Sequence, residues 1–321
     1  MSASFADGGA GGDSPFLPGN EAGYRRWRRA KLQAQEEDPP GTVSIADPWR
    51  LQDHEREALL AGLRRRNFAL YRTAAAGDGR SLVRALGGQL GLHRLDANLC
   101  ADEDSITPLS VAAGQSRRGG YVPYTNRPLS WHTDGYYNAA GAMIRGMVLH
   151  CQRPALEGGE NRLLDHELLY IQLRDRDPAW IRALMHPEAM TIPPNTEGGE
   201  EIRGARTGPV FSVDPRTGDL HMRYSARARN VIWREDPALR SALAAMRELL
   251  ADDNPWVVRH RLAAGEGVVS NNVLHNRTGF RDHAEPGRGR LLFRARYYDR
   301  IEDTGWPWTP GLAGPGPHRE D

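Results

Sequence analysis

From about residue 130 onward the chain reads as short apolar strands separated by turns, and this limits the fold more than any other feature. Met147-Val148-Leu149, Val210-Phe211-Ser212-Val213, Val257-Val258, Val268-Val269 and Leu291-Leu292-Phe293 are strand candidates. Gly158-Gly159 and Pro215-Arg216-Thr217-Gly218 mark turns between them. Two helical stretches interrupt the series, Asp165 to Asp175 and Pro237 to Ala251. Many short strands with helical insertions predict a mainly β chain, a cupin-like jelly roll with a helical layer outside.

Upstream the pattern differs. Residues 1–19 are rich in glycine and are expected to be disordered. Residues 20–37 predict a helix whose basic face, Arg25, Arg26, Arg28 and Arg29, is solvated. Pro39-Pro40-Gly41 breaks the chain. Asp53 then caps a helix carrying Ala58, Leu59 and Leu63, residues 67–71 read as a strand, and Leu82, Leu86 and Leu90 mark a second helix ended by Gly91.

Composition removes several function classes. There is no run of about 18 apolar residues, so no membrane span is expected, and the N-terminus lacks the apolar stretch of a secretory signal. The formal net charge of +1 offers no field suited to nucleic acid. The two cysteines, Cys100 and Cys151, lie in ordinary core surroundings and point to a reducing cytoplasm. Lys31 is the only lysine, so arginine is common throughout and a lone arginine carries little information.

The chemistry lies in Ser130-Trp131-His132-Thr133-Asp134-Gly135. In a strand, His132 and Asp134 face the same side. An imidazole and a carboxylate side by side are two thirds of a facial triad, the arrangement that leaves three positions open on iron for 2-oxoglutarate and O₂. The best third ligand is His275, in Asn271-Asn272-Val273-Leu274-His275, at the end of an apolar strand. Downstream, Arg290, Arg294 and Arg296 alternate in Gly289-Arg290-Leu291-Leu292-Phe293-Arg294-Ala295-Arg296. An inward arginine needs an anionic partner, and a dicarboxylate matches its fork.

These residues resemble the taurine dioxygenase (TauD/TfdA) and γ-butyrobetaine hydroxylase superfamily over residues 45–301. Trp131-His132-Thr133-Asp134 is similar to its proximal ligand motif, Leu156-Glu157-Gly158-Gly159-Glu160-Asn161 to its Gly-Gly-acidic turn, and Asn271-Asn272 to His275 to its distal ligand motif. The resemblance implies a double-stranded β-helix and Fe(II) held by His132, Asp134 and His275. It implies that Arg290 grips the distal carboxylate of 2-oxoglutarate and that Arg294 lies near the metal-bound end. Asn161 stands where the family often has threonine, and its amide can donate the same bond. The implied reaction couples O₂-dependent decarboxylation of 2-oxoglutarate, to succinate and CO₂, with hydroxylation or desaturation of a small polar molecule. The intact carboxylate at Asp134 argues against halogenation. One oxygenase domain then covers residues 41–303, between a disordered or helical extension (1–40) and an irregular tail (304–321).

Tyr136, Tyr137 and Asn138 follow the proximal ligands directly and are candidate substrate contacts. Arg223, in Met222-Arg223-Tyr224-Ser225, is a candidate for a substrate anion, by resemblance to the butyrobetaine hydroxylase branch. Asp165-His166-Glu167 looks metal-like, but Asp165 more simply caps the following helix. His150 reads as core, and His260 and His283 as surface. Two other classes compete. A zinc-dependent hydrolase would use the same ligands but leaves Arg290 and Arg294 unexplained. A non-catalytic jelly-roll binding protein does not need the three ligands together. The expected partner is a small molecule, with no nucleic acid or membrane, and a homo-oligomer is compatible with the sequence.

Overall fold

A computed structural model describes residues 10–36, 41–74, 77–97, 102–111, 121–227, 231–251, 253–283, 285 and 287–306. Two sheets face each other. The larger runs in the order Thr42–Ile45, Phe68–Thr73, Glu266–Ser270, Gly146–Arg153, Leu291–Tyr297, Thr107–Leu109, and is antiparallel except between its first two strands. The smaller runs Val258–His260, Asn161–Leu164, Leu274–Arg277, Leu129–His132, all antiparallel. The jelly roll expected from the strand pattern is the architecture observed.

Alternation explains how one strand serves two cores. In Gly146–Arg153, Leu149 and Cys151 point between the sheets to meet Leu163, Val268 and Leu292. Val148 points outward with Val269, Phe293 and Ala295. Helices α2 (Asp53–Arg66) and α3 (Gly79–Gly88) cover that outer face with Leu59, Leu60, Leu63, Leu82, Val83 and Leu86. Both faces of the central strands are therefore buried at their middles, and the exposed polar residues Arg72 and Arg153 fall near strand ends. Helix α2 begins one residue earlier than expected: Gln52 and Glu55 form the capping box, and Asp53 is the first helical residue.

A third cluster surrounds helices α4 (His166–Arg176), α5 (Pro178–Leu184) and α6 (Pro237–Leu249). Asp165 caps α4 by accepting from the Glu167 N–H at 2.9 Å, as expected. The N-terminal segment corrects one expectation. Residues 14–19 pack against this cluster, because Phe16 supplies an apolar anchor that a glycine-rich composition hides. Phe16 is 2% exposed and meets Trp27 and Tyr170 edge-on at 4.7 and 5.8 Å. Helix α1 (Glu21–Glu36) does expose Arg25, Arg26 and Arg29. Its opposite face buries Tyr24, Trp27 and Lys31. The Lys31 ammonium lies 2.7 Å from Asp165 and 2.6 Å from Glu167. At the other end, Thr304 is buried and the Trp306 N–H donates to Asp219 at 2.6 Å. Residues 1–9, 37–40, Cys100 and the tail beyond 306 lie outside the described residues. No helix among the described residues is long and apolar enough to cross a membrane.

Candidate metal centre and its cavity

The antiparallel pairing of Leu129–His132 with Leu274–Arg277 sets His132 directly opposite His275. Their ring centroids lie 4.3 Å apart. The proximal strand ends at His132, so Asp134 is held by a turn. Gly135 makes that turn possible at φ +66, where a Cβ would fall 2.4 Å from Ile144 Cγ1. Asn272, itself at φ 54, accepts from the Asp134 N–H at 2.8 Å and donates to the Asp134 carbonyl at 2.9 Å. The outcome is that one ligand atom from each of His132, Asp134 and His275 lies within 4.8 Å of the others.

The protonation states suit a cation. His132 Nδ1 sits 2.9 Å from the Ser130 carbonyl and His275 Nδ1 sits 2.9 Å from the Val273 carbonyl. A carbonyl only accepts, so each Nδ1 carries the proton and each Nε2 keeps its lone pair. Burial, then the neighbouring His275, pushes the His132 imidazole down to about 3, and burial also lowers His275. Both rings are neutral. Burial raises the Asp134 carboxyl, but Arg294 and then Arg296 outweigh it and hold the group ionised, well below the ordinary carboxylate range. Asp134 Oδ1 accepts from Arg294 at 3.0 Å, while the buried Oδ2 has no hydrogen-bond partner. Two neutral imidazoles and an orphaned carboxylate oxygen fit a divalent ion with nitrogen and oxygen preference.

Beyond the ligands, Arg294 and Arg296 project into a cavity of about 590 Å³ that also reaches His132 and Asp134. Arg296 is paired with Asp96 and donates to the Tyr137 hydroxyl at 3.0 Å. Tyr298 donates to the same Asp96 at 2.7 Å. Arg290 sits at the start of its strand and opens instead into a small recess with Cys151, Gly158, Gly159 and Asn161. Its guanidinium lies 5.1 Å over the Phe280 ring and has no side-chain hydrogen bond among the described residues. Gly159, at φ +72, leaves room beside it: a Cβ there would stand 3.6 Å from Arg290 Nε. The Asn161 amide nitrogen in the same recess is buried without a partner.

Tyr136, Tyr137 and Asn138 line the cavity, and Tyr136 meets His132 edge-on at 6.5 Å. Arg223 is placed differently. It lies behind the cavity wall, and its N–H groups go to the carbonyls of Tyr136, Met190 and Arg206 at 2.7, 3.3 and 2.7 Å. Sequence reasoning missed Asp96, Asn272, Arg203 and Arg206. Asn272 alone carried a signal, because a short amide residue favours positive φ. His150 is core, bonded to the Tyr71 hydroxyl at 3.2 Å, and His260 pairs with Glu266 at 2.9 Å.

A jelly roll that holds two histidines and a carboxylate beside buried arginines defines a non-haem, 2-oxoglutarate-dependent iron oxygenase. The chain belongs to the taurine catabolism dioxygenase TauD, TfdA family, whose sequence profile matches residues 28–296. It is 31% identical over 284 residues to a uridine-5'-phosphate dioxygenase of Amycolatopsis sp, covering 83% of this chain and 96% of that protein. A uridine-5'-phosphate dioxygenase of Streptomyces sp is 29% identical over 199 residues, covering 60% and 69%. Among solved structures, the iron oxygenase OrfP with Fe, succinate and (3R,4R)-dihydroxy-L-Arg aligns at TM-score 0.56 and 15% identity, covering 84% of this chain and 89% of that one. Asparagine oxygenase with Fe(II), hydroxyasparagine and succinate aligns at TM-score 0.53 and 20% identity, with the same coverage. These share the fold. The chain is thus an oxidoreductase of the dioxygenase type using Fe(II), 2-oxoglutarate and O₂, and nothing supports the hydrolase or the non-catalytic jelly roll.

Proposed function

We propose that His132, Asp134 and His275 hold Fe(II), that Arg290 with Asn161 takes the distal carboxylate of 2-oxoglutarate, and that the primary substrate is a nucleoside 5'-monophosphate. The observation that carries the metal assignment is the orphaned Asp134 Oδ2 facing two imidazoles whose Nδ1 protons are already committed. Iron and 2-oxoglutarate, when bound, supply an O₂-dependent oxidation that releases CO₂ and succinate. The chain contributes the rest. Arg294 keeps Asp134 ionised and fixes one of its oxygens. Arg290, whose guanidinium has no hydrogen bond among the described residues, and the buried Asn161 amide nitrogen offer a planar fork and a second donor to a carboxylate. The Tyr136 and Tyr137 rings wall the approach.

The substrate reading rests on the 31% identity to a uridine-5'-phosphate dioxygenase and on the charge of the cavity. Among the described residues, its lining holds Arg203, Arg206, Arg227, Arg294 and Arg296 against Asp96 and Asp134, and both aspartates are already paired with arginine. Such a cavity favours an anion over a cationic amino acid. Its volume is in the ordinary range of about 300–1,000 Å³ for small-molecule sites. A soluble cytoplasmic setting without nucleic acid belongs to the same reading. So does a single oxygenase domain extended N-terminally to take in the docked residues 14–36. The test is succinate formation from Fe(II), 2-oxoglutarate and O₂ with uridine 5'-phosphate, other nucleoside monophosphates, asparagine and arginine as substrates. Stimulation by the nucleotides is expected. Stimulation by an amino acid alone would overturn the substrate assignment.

A further inference from the structure

The cavity that reaches His132 and Asp134 is also lined by two guanidinium groups that no carboxylate among the described residues pairs with. Strand Arg206–Gly208 pairs with Met190–Ile192, and the hairpin of Asn195–Glu197 with Glu200–Arg203 projects from the same wall. Gly204 and Ala205 join the two, so Arg203 and Arg206 flank the point where the hairpin rejoins the body. Both line the cavity with Ile192, Pro193 and Pro194. Neither has a carboxylate within ion-pairing distance among the described residues. Arg203 donates only to the carbonyls of Gly204 and Pro193, at 2.8 and 2.9 Å, and its guanidinium lies 5.9 Å from the Tyr137 ring centroid. Arg206 donates at 3.3 Å to the Ala205 carbonyl, and its buried Nε has no partner. Burial, then the proximity of Arg206, holds the Arg203 guanidinium below its ordinary value. Glu201 is the nearby acid, and it is exposed.

Two cations in one half-buried wall repel each other until an anion joins them. The fold nonetheless fastens this wall with care. Arg223, buried behind it, ties the Arg206 carbonyl to those of Met190 and Tyr136. The anion site is thereby linked to the loop that follows Asp134. Arg290 already has its own recess elsewhere, so this pair is not needed for the distal carboxylate of 2-oxoglutarate.

We propose that Arg203 and Arg206 form the subsite that receives the phosphate of the substrate. The inference rests on the nucleotide reading above and assigns its charged end to two residues. A dianion between two forks satisfies the free N–H groups of both and removes their mutual repulsion.

The experiment is calorimetric titration of the anaerobic Fe(II)·2-oxoglutarate protein with uridine 5'-phosphate and with uridine. Wild type is expected to bind the nucleotide at least about tenfold tighter than the nucleoside, and R203Q/R206Q to bind the two alike, a loss of about ten- to a hundredfold for the nucleotide. R203K/R206K keeps the charge without the fork and should recover part of the preference, which shows that the wall is still folded. Affinity for 2-oxoglutarate should stay within about twofold in both variants. A double glutamine variant that keeps the full nucleotide preference overturns the subsite and leaves the nucleotide reading standing. A wild-type protein with no preference for nucleotide over nucleoside overturns that reading, and the phosphate assignment with it.

Discussion

Asn272 grips Asp134 through both of its backbone polar groups, accepting from the N–H at 2.8 Å and donating to the carbonyl at 2.9 Å. The same amide nitrogen also donates to the Ile144 carbonyl at 2.7 Å, so one side chain from the segment before the distal ligand fixes the turn that carries the proximal carboxylate. The proposed metal ligands are thus positioned relative to each other by a residue that touches none of their donor atoms.

Asn272→Asp keeps the shape and the acceptor but turns a carboxylate oxygen toward two carbonyls. We expect a loss of about 1–3 kcal/mol of stability and weaker Fe(II) binding. Thermal unfolding and Fe(II) titration read the two effects. A variant with wild-type values for both would show that the turn holds without this clamp.

The buried Lys31 gives a second prediction. Burial opposes its charge, but Asp165 and then Glu167 outweigh burial and raise it above the ordinary lysine value. Lys31→Met removes the cation and strands two buried carboxylates, which should cost about 3–5 kcal/mol in urea denaturation. Adding Asp165→Asn and Glu167→Gln should restore most of it. A single variant within about 0.5 kcal/mol of wild type would show that helix α1 docks through its aromatic residues alone.

Acid should weaken the metal-free protein. Burial pushes His150 down to about 4 and, with His275, takes His132 down to about 3, from an ordinary value of 6.5. The unfolded chain therefore binds more protons between about pH 6.5 and pH 3, and stability falls as pH falls through that window. Above about pH 7 both states are neutral at these rings and their contribution is flat. Tm should drop steadily from pH 7 to pH 5, and His150→Gln should flatten part of the slope. A Tm independent of pH across that interval would contradict the burial of these imidazoles.

The site was legible where local geometry and motif order carry it. Motif order brings His132, Asp134 and His275 together, but the proximal strand ends at His132 with Asp134 in the turn after it, and His275 lies in a strand of its own, Leu274–Arg277, beyond the apolar strand Glu266–Ser270. Long-range contacts were not legible. Phe16 and Lys31 find their partners more than a hundred residues away, in α4, and a glycine-rich or arginine-rich stretch gives no hint of them. Arg223 is a candidate anion ligand only through the resemblance of Met222-Arg223-Tyr224-Ser225 to the butyrobetaine hydroxylase branch. Its N–H groups are consumed by three carbonyls from separate segments, which only the folded chain brings together. Arg203 and Arg206 are hidden in the sequence by the abundance of arginine, and what marks them is a place in the cavity lining with no carboxylate partner among the described residues.

On the proposed assignment, His132, Asp134 and His275 hold Fe(II) where 2-oxoglutarate, gripped by Arg290, can chelate it. Anaerobic titration of the metal-free protein with Fe(II) and then 2-oxoglutarate, followed by visible absorption, tests it directly. Wild type should develop the metal-to-ligand charge-transfer band of chelated 2-oxoglutarate. His275→Ala should give no band, and Arg290→Leu should give it only at about ten- to a hundredfold more 2-oxoglutarate. A band of wild-type intensity and midpoint in His275→Ala, or no band in the wild type, would contradict the account.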